Sequence, residues 1–285
     1  MSRTSISKKS FGRKLTVESL ETREMLAGNV VASLAQNGTL TLTGDPADNN
    51  VQVSESPRGS GTWCVQPNDS SGITTRINQA TKPVNFKSVK FLRIYLGAGN
   101  DSLLLQGTLP ADVANLGARV QIDMGSGNNA VRIPSLVSTP VPGQPAKPTA
   151  LPIGLDSIQA TGGNNSITLQ NVNWAGNRWL IQTFGNGDSS VSITNSQFAA
   201  SPQSVLYATP SLTVNTGAGN DSLMLDHVTV DRFGANLGGG NDFAQVTSCA
   251  YTYCTLDGSS GWNGLYAAGN TKNLLYYGFQ SVRSS

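Results

Sequence analysis

Apolar and polar residues alternate in short bursts along most of this chain, and the bursts come in pairs around a small polar knot. Leu92, Ile94 and Leu96 precede the knot GAGND, and Leu103 and Leu105 follow it. A period of two puts every second side chain on one face of a strand, so the pattern predicts two half-buried strands joined by a tight turn. With Asp101 as position zero, the same columns recur around Asn129 (Val120, Ile122, Met124; Val131, Ile133) and Asp221 (Leu212, Val214; Leu223, Leu225). They recur again around Asp242 (Phe233, Ala235, Leu237; Ala244, Val246) and Asn165 (Ile158, Ala160; Ile167, Leu169). Two further copies centre on Ser189 (Leu180, Phe184; Val191, Ile193) and on Asn49, in LTLTGDPADNNVQV.

The zeros are spaced by 52, 28, 36, 24, 32 and 21 residues. A unit of this length that buries its apolar face only against its neighbours is the signature of a solenoid. The expected fold is all-β, a right-handed parallel β-helix of roughly eight or nine coils, with residues 30–285 as one domain after an N-terminal segment, 1–29. The 52-residue interval is expected to hide a further coil within GTWCVQPNDSSGITTRI, and the Pro-rich stretch 134–153 to leave the ladder as a loop. The rival is a β-sandwich, which needs antiparallel hairpins, yet two-residue Asn-Gly and Asp-Gly turns are scarce.

The knot has columns of its own. Position −1 reads Asn100, Asn128, Asn164, Asp188, Asn220 and Asn241, and glycines stand at −4 and −2 in Gly97/Gly99, Gly125/Gly127, Gly185/Gly187, Gly217/Gly219 and Gly238/Gly240. Asn and Gly suit corners that need left-handed backbone, so corner geometry alone is one reading of the turn. Position zero holds Asp101, Asp221 and Asp242 among amides and a hydroxyl. Here GAGNDSL, GAGNDSL and GGGNDFA resemble the core of the haemolysin-type calcium repeat. That resemblance implies Ca²⁺ held by Asp101, Asp221 and Asp242 with the turns of Gly97, Gly99, Gly217, Gly219, Gly238 and Gly240. In that family the repeats run in tandem, whereas here one turn occurs per coil and the middle copies lack a carboxylate. A continuous calcium ladder is therefore excluded, and the strongest candidate is the pair Asp221 and Asp242.

Charge is sparse and uneven. The first 26 residues carry six Lys/Arg and three Glu, leaving 13 basic and 14 acidic residues for the rest. No basic stripe remains for nucleic acid. No apolar run reaches the roughly 18 residues of a transmembrane helix. Cys64, Cys249 and Cys254 fit no zinc spacing; Cys249 and Cys254 are either a local disulfide or two buried thiols.

The N-terminus, with SKKSFGRK followed by VESLETREMLAG, has no apolar core of an ordinary signal peptide. It reads as a cap helix from Leu15 to Leu26 or as an address. Leu20, Glu21, Arg23, Met25 and Leu26 resemble the LEPR-xLL export signal of planctomycete-type surface proteins, with Thr22 in place of Pro and Met25 in place of Leu. That resemblance implies export and removal of the segment.

Chemistry is scarce. His227 is the single histidine, and a ladder residue is its plain reading. Asp226, Asp231 and Arg232 form the only acid–base cluster dense enough for a lyase or glycosidase site. Tyr251, Tyr253, Trp262, Tyr266, Tyr276, Tyr277 and Phe279 either close the end of the solenoid or stack on sugars. The expectation is a non-enzymatic exported module of the cell surface or extracellular space, structural or adhesive, whose partners are extracellular polysaccharide or envelope components. The alternative is a carbohydrate-active β-helix protein, for which a groove beside Asp226 and Arg232 is the discriminating feature.

Overall fold

The computed structural model describes residues 28–68, 75–111, 118–140, 155–175, 178–199, 212–271 and 274–284. The expected export segment, apart from its last two residues, lies outside these. The fold is all-β, with 22 strands in one mixed sheet and no helix among the described residues.

Three parallel ladders organise it. The first passes through Thr39–Thr43, Phe91–Tyr95, Val120–Ser126, Leu155–Thr161, Arg178–Phe184, Leu212–Asn215, the end of Ser222–Asn236, the end of Ala250–Asp257, and Leu275–Tyr277. The second starts at Asn50–Glu55 and continues through the strands that follow each knot to Ser281–Ser284. A third links the far ends of those strands, from Gly107–Ala111 to Ala250–Tyr251. Within these ladders each strand pairs with its equivalent one repeat away, and Ser222–Asn236 runs through all three in one piece.

Side chains on the inner faces meet as the alternation predicts. Leu92, Ile94 and Leu96 are fully buried, as are Val120, Leu169, Leu212, Val214, Leu223 and Val246. Burying one such side chain contributes about 1.5–3 kcal/mol, and each repeat finds most of that burial against its neighbours. The copy at Ser189 departs from the expected register. Trp179, Ile181 and Thr183 point inward, whereas Leu180 is only half-buried and Phe184 is 45% exposed. Ile158 pairs with Ile181 and Ala160 with Thr183, so the segment before this turn holds one extra residue, which reverses the parity.

Two other expectations are corrected. The 52-residue interval holds no further parallel repeat, because Leu40 pairs directly with Leu92 and Val51 with Leu103. Within the interval Thr62–Pro67 runs antiparallel between Asn50–Glu55 and Val84–Lys87, and the short strand Arg76–Ile77 pairs in parallel with Asn29 and Val30. Ahead of the interval, Asn29–Leu34 lies antiparallel on Thr39–Thr43. This hairpin turns through residues 35–38, closed by the Gly38 N–H on the Ala35 carbonyl (3.0 Å), with Gly38 left-handed at φ +85° at the end of the turn, a position that favours glycine. Val30, Trp63, Val65 and Ile77 bury against this end of the core. The Pro-rich stretch also begins inside a strand, Ala130–Pro140, with Pro134 at the register shift between Arg132 and Ser135. A bulge is where a sheet tolerates a residue without an N–H. Residues 141–153 of the expected loop lie outside the described residues.

Candidate functional site

The knots stack on one another to make the most regular polar feature of the molecule. Position −1 is exposed, and its side-chain oxygen accepts the backbone N–H of the next repeat's position −1. Asp48 Oδ1 accepts from Asn100 (2.7 Å), Asn100 from Asn128 (3.0 Å), Asn128 from Asn164 (2.7 Å) and Asn164 from Asp188 (2.9 Å). The series continues from Asp188 through Asn220 and Asn241 to the Trp262 N–H (2.7–2.9 Å).

Position zero is buried and runs the other way. Asp101 Oδ1 accepts the N–H of Asn49 (2.8 Å), Asn129 that of Asp101 (3.0 Å), and Asn165 that of Asn129 (3.2 Å). Asp221 accepts from Ser189 (2.7 Å), Asp242 from Asp221 (2.9 Å) and Asn263 from Asp242 (2.7 Å). Between Asn165 and Ser189 the series is interrupted, the serine side chain being shorter. Two counter-running side-chain ladders thus clamp neighbouring turns together, and the position-zero N–H groups so paired would otherwise be orphaned on burial.

Glycine is required here by contact as well as by φ. At Gly127 (φ +127°) a Cβ would overlap the Gly99 carbonyl oxygen. At Gly219, where φ is not positive, a Cβ would still come within 2.5 Å of the Gly187 carbonyl oxygen. The turns stack backbone on backbone.

An eighth copy escaped the sequence reading. Asn263, in GSSGWNGL, is buried and lies 21 residues after Asp242. Trp262 replaces the Asn of position −1 and Ser259 a Gly, but the spacing from Asp242 and Leu265 at position +2 were signals that could have found it.

Of the expected calcium residues, Asp221 and Asp242 do sit on adjacent repeats, and Asp101 sits between Asn49 and Asn129. Their carboxyls, however, face the interior and are 1–2% exposed. The Asp221 N–H is bonded to Asp242 Oδ1, so a donor already engages one of the four oxygens of this pair. Calcium needs six to eight oxygens at about 2.3–2.6 Å, and among the described residues no three His, Cys, Asp or Glu side chains gather. The donor set therefore fits a shared divalent cation poorly. Burial pushes the Asp101 carboxyl up to about 7, that of Asp242 up to about 6, and that of Asp221 upward as well.

The other candidates disperse. His227 has φ +54° in a corner column with Asn171, Asn195, Ser248 and Gly269, all left-handed. Non-Gly residues with such φ are enriched in Asn, Asp and His, so the corner accounts for it. Its Nδ1 lies 3.0 Å from Asp226 Oδ2, while Asp226 Oδ1 accepts from the Thr247 hydroxyl (2.7 Å). These two bonds hold the Asp226 carboxyl below its ordinary range. Arg232 lies over the Tyr253 ring (4.3 Å) and 3.9 Å from Asp231. Asp226 and Arg232 thus serve separate contacts. A shallow depression of about 370 Å³ lies elsewhere, on the outer face of the second ladder, lined by Phe243, Gly264, Leu265, Tyr266, Ser281 and Arg283.

The aromatic residues do not form one line. Tyr251 is buried, Tyr253 and Trp262 are exposed on the flank, and Tyr276 meets Phe279 edge-on (6.4 Å) where the ladders end. Cys249 and Cys254 are buried free thiols; burial raises both, Cys254 to about 12, and the Cys249 thiol donates to the Thr247 carbonyl oxygen (3.2 Å).

No helix among the described residues is long and apolar enough to cross a membrane. No curated protein and no solved structure matches the chain. A family model described as Planctomycete extracellular matches residues 12–30, the stretch that carries the export-signal resemblance. This N-terminal similarity supports a planctomycete-type exported protein.

Proposed function

We propose that the chain is a non-enzymatic, exported parallel β-solenoid that serves as a structural or adhesive module at the cell surface or in the extracellular space. The observation that carries this reading is the pair of counter-running side-chain ladders at the stacked knots. They spend the polar residues of eight copies on holding the stack together. The parallel ladders support a helical winding of about eight coils, and right-handedness follows from the roughly 98% preference of parallel crossovers. The alternative, a carbohydrate-active protein, has its best support in the depression around Phe243, Tyr266 and Arg283.

A C-terminally tagged chain expressed in a planctomycete host tests the reading. The mature protein is expected outside the cytoplasm without its first roughly 30 residues, and an intact N-terminus on cytoplasmic protein overturns export. The secreted material is expected to leave insoluble polysaccharide uncut. Release of sugar products shifts the assignment to the carbohydrate-active alternative.

A further inference from the structure

Position zero asks two things of its occupant. Where the residue is Asn, Nδ2 donates to carbonyl oxygens of the turns, and in Asn129, Asn165 and Asn263 Oδ1 accepts an N–H from the preceding repeat. Asn129 Nδ2 donates to Gly125 (3.2 Å) and Gly127 (3.3 Å), and Asn165 Nδ2 to Gly162 (2.7 Å) and Gly163 (3.4 Å). Asn49 donates to Asp45 (3.0 Å) and Ala47 (2.7 Å), and Asn263 to Gly258 (2.5 Å) and Gly278 (2.9 Å). The donating branch is as regular as the accepting one.

Asp101, Asp221 and Asp242 perform the accepting duty with Oδ1. Their Oδ2 atoms are buried and have no hydrogen-bond partner. The strand register and the Oδ1 bond match those of the Asn copies, so Oδ2 falls on the branch that elsewhere holds the amide nitrogen. By that equivalence Oδ2 would meet the turn carbonyl oxygens, with no hydrogen between the two oxygens. An ionised carboxylate would be buried against like dipoles, an arrangement that burial penalises heavily. A carboxylic acid would supply the missing hydrogen and reproduce the Asn pattern.

We propose that Asp101, Asp221 and Asp242 stand in the folded protein as neutral carboxylic acids, each donating its proton to a turn carbonyl in place of an Asn amide, so that the three turns are latches that loosen as pH rises. The neighbouring acids act in the same direction. The carboxylates of Asp48 and Asp45 raise Asp101 and that of Asp188 raises Asp221, and ionisation of Asp221 would raise Asp242 further. The Thr216 hydroxyl beside Asp221 acts the other way and favours the charged form, although its own hydrogen goes to the Leu237 carbonyl (2.7 Å). The N–H bonds from Asn49, Ser189 and Asp221, and the Asn49 side-chain amide 3.2 Å from Asp101 Oδ1, also favour the charged form, but burial outweighs them. A carboxyl that holds its proton more tightly when folded stabilises fully below its ordinary value of 3.8. That contribution is lost as pH rises through the folded values, about 6 for Asp242 and about 7 for Asp101.

Asn is the column's commonest occupant, so the triple variant Asp101→Asn, Asp221→Asn, Asp242→Asn is the natural probe. Thermal melting of the full chain and the variant is compared at about pH 4 and about pH 8, in chelator and in millimolar calcium. The two are expected to melt together in acid. At alkaline pH the variant is expected to melt several degrees higher, with calcium moving neither. A variant that melts lower at alkaline pH, or a calcium-dependent rise that the variant loses, overturns the proposal and restores a charged cation ligand. Carboxyl-carbon NMR of the native chain gives a second readout. Midpoints for Asp101 and Asp242 well above 3.8 are expected, and midpoints at or below that value overturn it.

Discussion

A single position along these strands decides whether a side chain meets the core or the solvent. Leu223 is fully buried and pairs with Val191 and Ala244 on the adjacent repeats, while Ser222, one residue earlier, is exposed. Leu223→Asp places an unpaired charge in that layer and is expected to cost on the order of 3–5 kcal/mol. Ser222→Asp is expected to stay within about 0.5 kcal/mol. Denaturant melts of both variants check the pair, and similar losses would show that the inward face is assigned to the wrong parity. Parity was legible wherever the apolar residues were also the buried ones. It failed before Ser189, where outward Leu180 and Phe184 look like core, and inward Thr183 does not. One inserted residue changes the face of every side chain before the turn, and hydrophobicity alone does not reveal which residue is extra.

At the scale of the turn, two kinds of information were encoded differently. The Gly and Asn columns were plain in the sequence because stacked backbones leave no room for a Cβ, and the N–H groups need side-chain acceptors. The direction of the zero column was not, since an Asp in a glycine-rich turn ordinarily faces solvent, and only the register reveals that Asp101, Asp221 and Asp242 sit under the corner. The antiparallel strands at the N-terminal end were missed for a related reason. Trp63 and Val65 alternate like any half-buried strand, and periodicity carries no information on the direction of the partner. Turn-on-turn contact also yields a prediction. Gly240 has φ +130° and a Cβ there would overlap the Gly219 carbonyl oxygen, whereas Gly59, at φ +80°, has open space around it. Both Ala variants bear the left-handed strain of about 1 kcal/mol, but Gly240→Ala must also force a pair of stacked turns away from each other. Its melting temperature is expected to fall clearly below that of Gly59→Ala, and equal falls would mean that φ alone requires glycine in the column.

Across the whole molecule, stability in such a stack is the sum of repeats and the contacts between neighbours, so one repeat should be removable if the cut respects the register. Ser222 pairs with Phe243, and Phe233 stands between Leu212 and Cys254. Deleting 222–242 therefore joins Asp221 to Phe243 at equivalent points 21 residues apart. The strand Leu212–Asn215 then meets the end of Ala250–Asp257, Val191 meets Ala244 in place of Leu223, and the Asp221 N–H finds Asn263 Oδ1 in place of Asp242. Nothing in the two polar ladders is left without its partner. The shortened chain is expected to remain folded and all-β, to melt cooperatively at a lower temperature, and to be shorter along the stacking axis by about 4.8 Å, the spacing of one strand. Removing only 222–231 breaks the register of every later repeat and is expected to unfold the chain beyond it. Circular dichroism and small-angle scattering of the two deletions decide the matter. If the register-preserving cut unfolds as completely as the other, the repeats are not interchangeable units, and the proposed solenoid is wrong at the level of the whole molecule.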